Sequence, residues 1–213
     1  MKKKVLIIDY GLGNLFSVKQ ACESVGLDTL ITASPEDILT SDMLILPGVG
    51  AYSIAMENLA KARLIPALKA FVATGKPFVG ICLGMQLMLT ESVEFGQNKG
   101  LNLIPGKTKK FEAKSIDNES FTVPQIQWNQ LKKSKNVDKS HFFNFLNDGD
   151  YMYFVHSYYC VPEVKSTIVT TTSYAGEEYP SIIQYKNCIG IQFHPEKSGL
   201  NGINIYEKLK QLI

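Results

Sequence analysis

The chain has 213 residues, 45% of them hydrophobic and 20% charged, with a net charge of +2. These values suit a globular protein with enough chain for a large core, and they leave no electrostatic footprint for nucleic acid. No apolar run approaches the ~18 residues of a membrane span. Met1-Lys2-Lys3-Lys4 carries the charge of a signal-peptide start, but the apolar run behind it is short and Asp9 interrupts it, so a cytoplasmic protein is expected.

Residues 4–9 form a β-branched run that reads as a buried strand. The loop Tyr10-Gly11-Leu12-Gly13-Asn14 follows, and then a helix with Leu15, Val18, Ala21, Cys22 and Val25 on one stripe, ended by Gly26. Strand, glycine loop and helix invite a dinucleotide-binding reading, but Phe16 stands where the third glycine of that fingerprint belongs. A second strand is expected at 27–32. Ser34-Pro35 opens a short helix by N-cap and N1 preference. A third strand at 43–46 runs into Pro47-Gly48-Val49-Gly50. Helical segments at 52–59 and 64–74 lead to the break Gly75-Lys76-Pro77. This alternation implies an α/β fold, an open and mostly parallel sheet with helices on both faces. Ligands of such sheets bind at the carboxyl ends of the strands, where residues 10–14, 47–50 and 82 all fall.

The fourth strand, Phe78-Val79, meets Gly80-Ile81-Cys82-Leu83-Gly84, and a helix-type segment follows. That is the pattern of a nucleophile elbow with Cys in place of Ser, small residues flanking a sharp turn. A helix starting after Cys82 aims its N-terminus at the sulfur and favours thiolate. The same residues also fit a buried Cys between two ordinary glycines.

The second half changes character. Short β-rich runs at 107–111, 128–131, 151–155, 159–161, 167–173, 181–185 and 189–193 are spaced like hairpins and are expected to add antiparallel strands. Residues 109–120 and 132–148 read as polar surface connections. A closing helix is expected over 202–213 with Ile203, Tyr206, Leu209 and Ile213 on one face. No repeat or linker divides residues 1–213, so one domain is expected. Cys22, Cys160 and Cys188 lie in apolar patterns and read as core residues; no Cys-x-x-Cys spacing suggests a metal, and neither metal nor cofactor is expected.

A cysteine nucleophile needs a base. Of the three histidines, His141 reads as a surface residue and His156 sits at a strand end. His194 ends a strand and is followed by Pro195-Glu196, which keeps a carboxylate beside the imidazole. Alone, that trio also fits a strand-end His beside a solvated Glu.

Gly80-Ile81-Cys82-Leu83-Gly84-Met85-Gln86 followed by Phe193-His194-Pro195-Glu196 resembles the class I (triad) glutamine amidotransferases. Further stretches resemble, within that class, the HisH-type glutaminase subunits of imidazole glycerol phosphate synthase. They include Asp9-Tyr10-Gly11, Pro47-Gly48-Val49-Gly50-Ala51, Lys99-Gly100-Leu101, Trp128-Asn129, Tyr153-Phe154-Val155-His156-Ser157-Tyr158 and His194-Pro195-Glu196-Lys197-Ser198. The resemblance covers essentially the whole chain in order. It implies that Cys82 attacks the γ-carboxamide of L-glutamine, His194 moves the proton and Glu196 orients His194. It implies oxyanion donors at Leu83 and at Val49 or Gly50, and glutamine recognition by Gln86, Glu94 and the backbone of Ser157 and Tyr158. It gives His156 a structural role. It also implies a (β/α)8-barrel cyclase of the HisF type as heterodimer partner and ammonia acceptor, docked against Asn14, Trp128, Asn129, Tyr153 and Lys197. No nucleic acid and no membrane enter.

One stretch departs from the family. Where Pro-His-Met-Gly usually precedes Trp-Asn, this chain has Pro124-Gln125-Ile126-Gln127. The acceptor therefore stays open between the histidine-pathway cyclase and the synthase served by HisH-like paralogues in surface-sugar amidination. An amidotransferase of pyridoxal phosphate synthesis fits residues 9–14 and 153–158 poorly. A decayed scaffold would have lost Cys82, His194 or Glu196, and a peptidase does not call for Gln86 and Glu94.

Overall fold

A computed structural model describes residues 3–116, 119–135, 137 and 141–213. In chain order the elements are β1 (Lys4–Ile8), α1 (Leu15–Ser24), β2 (Asp28–Thr32), α2 (Pro35–Thr40), β3 (Met43–Gly48), α3 (Tyr52–Lys61), α4 (Leu64–Ala73), β4 (Phe78–Cys82) and α5 (Leu83–Leu87). They continue with β5 (Leu89–Ser92), β6 (Asn98–Lys99), β7 (Ile104–Lys110), β8 (Lys114–Ile116), β9 (Glu119–Phe121), β10 (Gln125–Gln130) and β11 (Lys132–Lys133). The last are β12 (Tyr151–His156), β13 (Tyr158–Pro162), β14 (Ile168–Tyr174), β15 (Glu177–Tyr185), β16 (Cys188–Ile191) and α6 (Gly199–Leu209).

Eight strands form the main sheet in the order β11-β14-β15-β16-β4-β3-β1-β2. β2, β1, β3, β4 and β16 run parallel, and β15, β14 and β11 extend them antiparallel. The alternation of the pleat sends Val5 and Ile7 to one face and Leu6 and Ile8 to the other. The first face packs under α1 and α6 through Val18, Cys22, Ile205 and Tyr206. The second packs under α3 and α4 through Leu59, Leu64, Leu68 and Phe71. Both faces are covered, as the continuous apolar runs require. Cys22, Cys160 and Cys188 are buried free thiols in these cores.

The fold class read from the sequence is the one observed, with four local differences. The segment after Cys82 is a single helical turn, Leu83–Leu87, because the chain turns directly into β5. Its charge effect on the sulfur is that of a few nearby N–H groups rather than of a long dipole. The connection expected at 109–120 contains the β8–β9 hairpin. The one expected at 132–148 contains the short edge strand β11 and a 3-10 turn at Phe142–Phe145; residues 117, 118, 136 and 138–140 of these connections, like Met1 and Lys2, lie outside the described residues. The closing helix starts at Gly199 and ends at Leu209; the expected Tyr206 and Leu209 are buried and Ile203 and Ile213 pack against the same core partly covered, with Gly202 and Ile205 added to the inward face.

What matters for function is β16. It comes from the far end of the chain, yet it lies parallel beside β4 with Gly190 opposite Gly80 and Ile191 opposite Ile81. β3 flanks β4 on its other side, with Gly48 opposite Cys82. Three strand ends from remote parts of the sequence therefore meet at Cys82. A separate four-stranded sheet, β13-β7-β5-β6, and the β10–β12 ribbon wall in this end.

Candidate active site

Cys82 has φ +54° and ψ −110°, a backbone state that L-residues with side chains avoid. The glycines around it make the turn possible by close approach. A Cβ on Gly84 would run into the Leu46 carbonyl, and one on Gly80 would lie 2.6 Å from the Gly84 oxygen. The sulfur is nearly buried, at 5% exposure, and opens on a cavity of about 230 Å³. Val49, Gly50, Leu83, Gln86, Glu94, His156, Ser157 and Tyr158 line that cavity with it.

His194 follows β16 and is 2% exposed. Its Nδ1 lies 2.8 Å from Glu196 Oε1, and both side chains are sealed from water. The Glu196 carboxylate fixes the proton on Nδ1 and leaves Nε2 toward Cys82. Ser198 holds the segment: its hydroxyl donates to the His194 carbonyl at 2.7 Å and accepts from the Tyr153 N–H at 3.0 Å. The His194 N–H donates to the Tyr153 carbonyl at 2.9 Å. Burial alone lowers the His194 pKa. The sulfur of Cys82, by charge and hydrogen bonding, and then the Glu196 carboxylate more than offset this and raise it to about 10. The imidazolium is thus the favoured form of His194.

His156 is held in the opposite state. Its Nδ1 lies 2.9 Å from the Tyr158 carbonyl, and Phe111, Phe154 and Tyr179 surround the ring. Burial drives its pKa down; the hydrogen bond to Tyr158 opposes this, the charge of His194 reinforces it, and the result is about 3. A ring that stays neutral next to the cavity is not a proton carrier at neutral pH, in line with the structural role expected for it.

The expected glutamine-recognition residues come together. Gln86 Nε2 donates to the Tyr158 carbonyl at 2.8 Å and to Gln192 Oε1 at 3.3 Å. Glu94 Oε2 accepts the Tyr52 N–H at 2.6 Å, capping α3 where Ala51 offers no side-chain cap. The carboxylate therefore sits at the far end of the loop that carries Val49 and Gly50. The Tyr158 carbonyl is already met by both Gln86 and His156, and the Ser157 carbonyl by the Phe111 N–H. Val49 is 41% exposed, and Gly50 has φ +104° with only an ordinary contact to the Leu12 side chain, at 3.9 Å, where a Cβ would stand. The lack of a side chain on Gly50 and the exposure of Val49 leave the Val49–Gly50 peptide room to turn its N–H into the cavity. Tyr10 closes the site from below, its hydroxyl donating to the Pro47 carbonyl at 2.8 Å; burial, then the charge of Cys82, pushes its pKa far up.

Of the residues expected at a partner face, Trp128, Tyr153 and Lys197 form one patch beside His194. The Trp128 and Tyr153 rings meet edge to face at 6.1 Å, and Lys197 Nζ stands 6.0 Å from the Tyr153 ring centre. Trp128 is 49% and Ile126 59% exposed. Asn14 caps α1 through the Ser17 N–H, and Asn129 is tied to the Ser173 carbonyl at 2.9 Å. Gln125 does not face outward with its neighbours. It is fully buried, and its Oε1 accepts from the Tyr179 hydroxyl at 2.9 Å. Sequence reasoning passed over Gln192 and gave Tyr10 and Ser198, though named within motifs, no role of their own. No local signal marked the first: its burial and its place beside Cys82 follow from the pairing of β16 with β4.

Cys82, His194 and Glu196 thus stand together at the carboxyl end of an open, mostly parallel sheet. Residues 6–208 match the family model "Glutamine amidotransferase class-I", and the chain belongs to that family. Similar chains include the proteins named imidazole glycerol phosphate synthase subunit HisH in Geobacter sulfurreducens, 41% identical over 98% of this chain and 99% of that one, and in Aquifex aeolicus, 39% identical over 98% and 96%. Among solved structures, that of PurLQS from Thermotoga maritima superposes with a TM-score of 0.72 over 100% of this chain and 98% of that one, at 20% identity, which speaks for the fold.

Proposed function

We propose that the chain is a single-domain glutaminase, residues 1–213, that hydrolyses L-glutamine to glutamate and ammonia for a HisF-type cyclase in histidine biosynthesis. Cys82 attacks the γ-carboxamide carbon while its proton resides on His194. The tetrahedral oxyanion is met by the Leu83 N–H and by the N–H of Val49 or Gly50. Collapse expels ammonia, which takes its proton from the His194 imidazolium, and leaves a γ-glutamyl thioester on Cys82. Neutral His194 then draws a proton from water, the hydroxide attacks the thioester, and the thiolate departs with glutamate. Glu196 holds the ring through both steps.

The Glu94 carboxylate and the Gln86 oxygen recognise the substrate's N–H groups. Since the Ser157 and Tyr158 carbonyls are engaged, that segment contributes through its N–H groups to the substrate carboxylate. Because Glu94 also holds the Tyr52 N–H, seating the ammonium bears on the loop that supplies the oxyanion donor.

Ammonia released to water is protonated and loses its nucleophilicity, so a docked acceptor is part of the function. Trp128, Tyr153 and Lys197 offer an exposed aromatic and cationic patch beside His194, the composition of an interface anchor. Asn14 and Asn129 shape its edges. The partner is a (β/α)8-barrel that adds the ammonia to a phosphoribulosyl formimino carboxamide nucleotide, giving imidazole glycerol phosphate and an aminoimidazole carboxamide ribotide. No described helix is long and apolar enough to cross a membrane, and we place the work in the cytoplasm.

The observation that carries the proposal is the sealed Cys82–His194–Glu196 set at the meeting of β3, β4 and β16. Its test is glutamate release from glutamine, measured with and without the organism's HisF-type cyclase and its nucleotide substrate. Marked stimulation is expected; none with the cognate cyclase overturns the histidine assignment. The surface-sugar reading is favoured by one observation, Gln127 standing exposed between Ile126 and Trp128 where the family has glycine. Stimulation by a sugar-amidating synthase instead of the cyclase would select it.

A further inference from the structure

We propose that Gln192 is a positioning residue that holds the Cys82 sulfur as thiolate and links that state to Gln86; the proposal rests on Cys82 being the nucleophile. The register places it there. β16 runs beside β4 with Ile191 opposite Ile81, so the next residue, Gln192, comes level with Cys82. Gln192 is 0% exposed, and a buried carboxamide has to find its partners within the protein. Its Oε1 accepts from Gln86 at 3.3 Å and its Nε2 stands 3.9 Å from the sulfur.

The orientation of both amides follows from one fixed acceptor. The Tyr158 carbonyl can only accept, so the Gln86 atom 2.8 Å from it is the nitrogen. That nitrogen's other hydrogen faces Gln192, which must therefore present its oxygen. The Gln192 nitrogen is left for Cys82. The sulfur thus meets an N–H donor fixed by the network.

A donor at sulfur favours S⁻ over S–H. The opposing contact is the Val155 carbonyl, 3.8 Å from the sulfur, which can accept only from the thiol. The two contacts define two states of one atom: the thiol turned to Val155, and the thiolate turned to Gln192. Proton transfer to His194 exchanges the first for the second. The resting contact to Gln192 is long, as catalytic hydrogen bonds often are before substrate arrives.

Both amide hydrogens of Gln86 are committed inside the protein, so only its oxygen remains to accept from a substrate N–H. Accepting there polarises the Gln86 amide, which strengthens its bond to Gln192 and, through it, the donor at the sulfur. Glutamine seated on Gln86 thereby favours the thiolate that attacks it.

The test is carbamidomethylation of Cys82 by iodoacetamide, followed by peptide mass spectrometry across pH, in Gln192→Met and Gln192→Glu proteins whose melting curves show a folded chain. Gln192→Met is expected to react about tenfold more slowly at neutral pH, with its profile displaced to higher pH, the size expected for one lost hydrogen bond to an ion. Gln192→Glu should be displaced further, because a carboxylate opposes the thiolate. In steady-state kinetics, Gln192→Met should lower kcat more than it raises KM. Gln86→Met leaves Gln192 in place and should shift the profile in the same direction by less; it keeps the test open if the buried Gln192 variants unfold. Profiles that superimpose on the wild type in these variants overturn the proposal. A Cys82→Ala protein run alongside separates the failures: if it still releases glutamate, the nucleophile reading itself falls, and if it is dead while the profiles superimpose, only the role of Gln192 does.

Discussion

The ends of β3, β4 and β16 and the β10–β12 ribbon stand side by side but are built in opposite ways. At the strand ends, Cys82, Gln192 and His194 are almost sealed, and their positions follow from parallel register and from glycines that admit no Cβ. On the ribbon, Ile126, Gln127 and Trp128 are exposed and held mainly by pairing with β12. Within β10, Gln125 alone is buried, turned in to Tyr179, while the core side of the ribbon is supplied by Met152, Phe154 and His156 of β12. The contrast separates two tasks. Making ammonia depends on groups fixed by the core, whereas choosing who receives it depends on side chains that can change without disturbing the core. Departure from the family pattern on the ribbon, with an intact Cys-His-Glu set beside it, fits that division.

The contrast is broken most sharply at the strand ends. Cys82→Ala should lower glutaminase turnover by roughly 10⁴–10⁶-fold while leaving the fold intact, as removal of a nucleophile does. Glu196→Gln should cost about 10²–10⁴-fold, because the ring loses the partner that fixes its tautomer and stabilises its charge. The raised His194 pKa fixes the sign of a pH effect: deprotonation removes the acid for the leaving ammonia. The alkaline limb of kcat should therefore lie well above the ordinary imidazole value and move down in Glu196→Gln. Gly50→Ala, at φ +104°, should lower kcat by about 10²-fold if that peptide supplies an oxyanion donor. Melting curves would show whether the fold survives.

Two smaller effects compare the regions by stability and by binding. His156 has a folded pKa of about 3, below its ordinary 6.5, so the unfolded chain takes up its proton first as pH falls. Stability should drop from about pH 6.5 toward 3, by up to roughly 1.4 kcal/mol per pH unit from this group. His156→Leu should flatten that slope in chemical denaturation. Trp128→Ala on the ribbon should weaken capture of the cyclase by about 2 kcal/mol, read by calorimetry, with a melting temperature near the wild type. A large loss of stability there would mean that the ribbon belongs to the core after all.

Much of the first half was legible because its strands are unbroken β-branched runs and its turns carry glycine and proline. The elbow was legible for the same reason. What escaped the sequence was set by distance. Nothing local says that residues 188–191 lie against 78–81, and without that register Gln192 is one more polar residue near a strand end. How short α5 is could not be read, because Leu83 to Met88 is apolar apart from Gly84 and Gln86 and shows no stop before β5. Ile205 was left off the inward face of the closing helix because Ile203 and Ile205 are equally apolar, and only packing against the sheet shows which is fully buried. The inward turn of Gln125 depends on Tyr179, more than fifty residues away.

The most direct measurement of the central claim is acid quenching of the enzyme during turnover with glutamine and its cyclase, followed by peptide mass spectrometry. A γ-glutamyl group on the Cys82 peptide, formed and lost at the rate of glutamate release, is the predicted result. Glutamate release with no adduct on Cys82 under conditions that trap thioesters, or with the adduct on another residue, would contradict it.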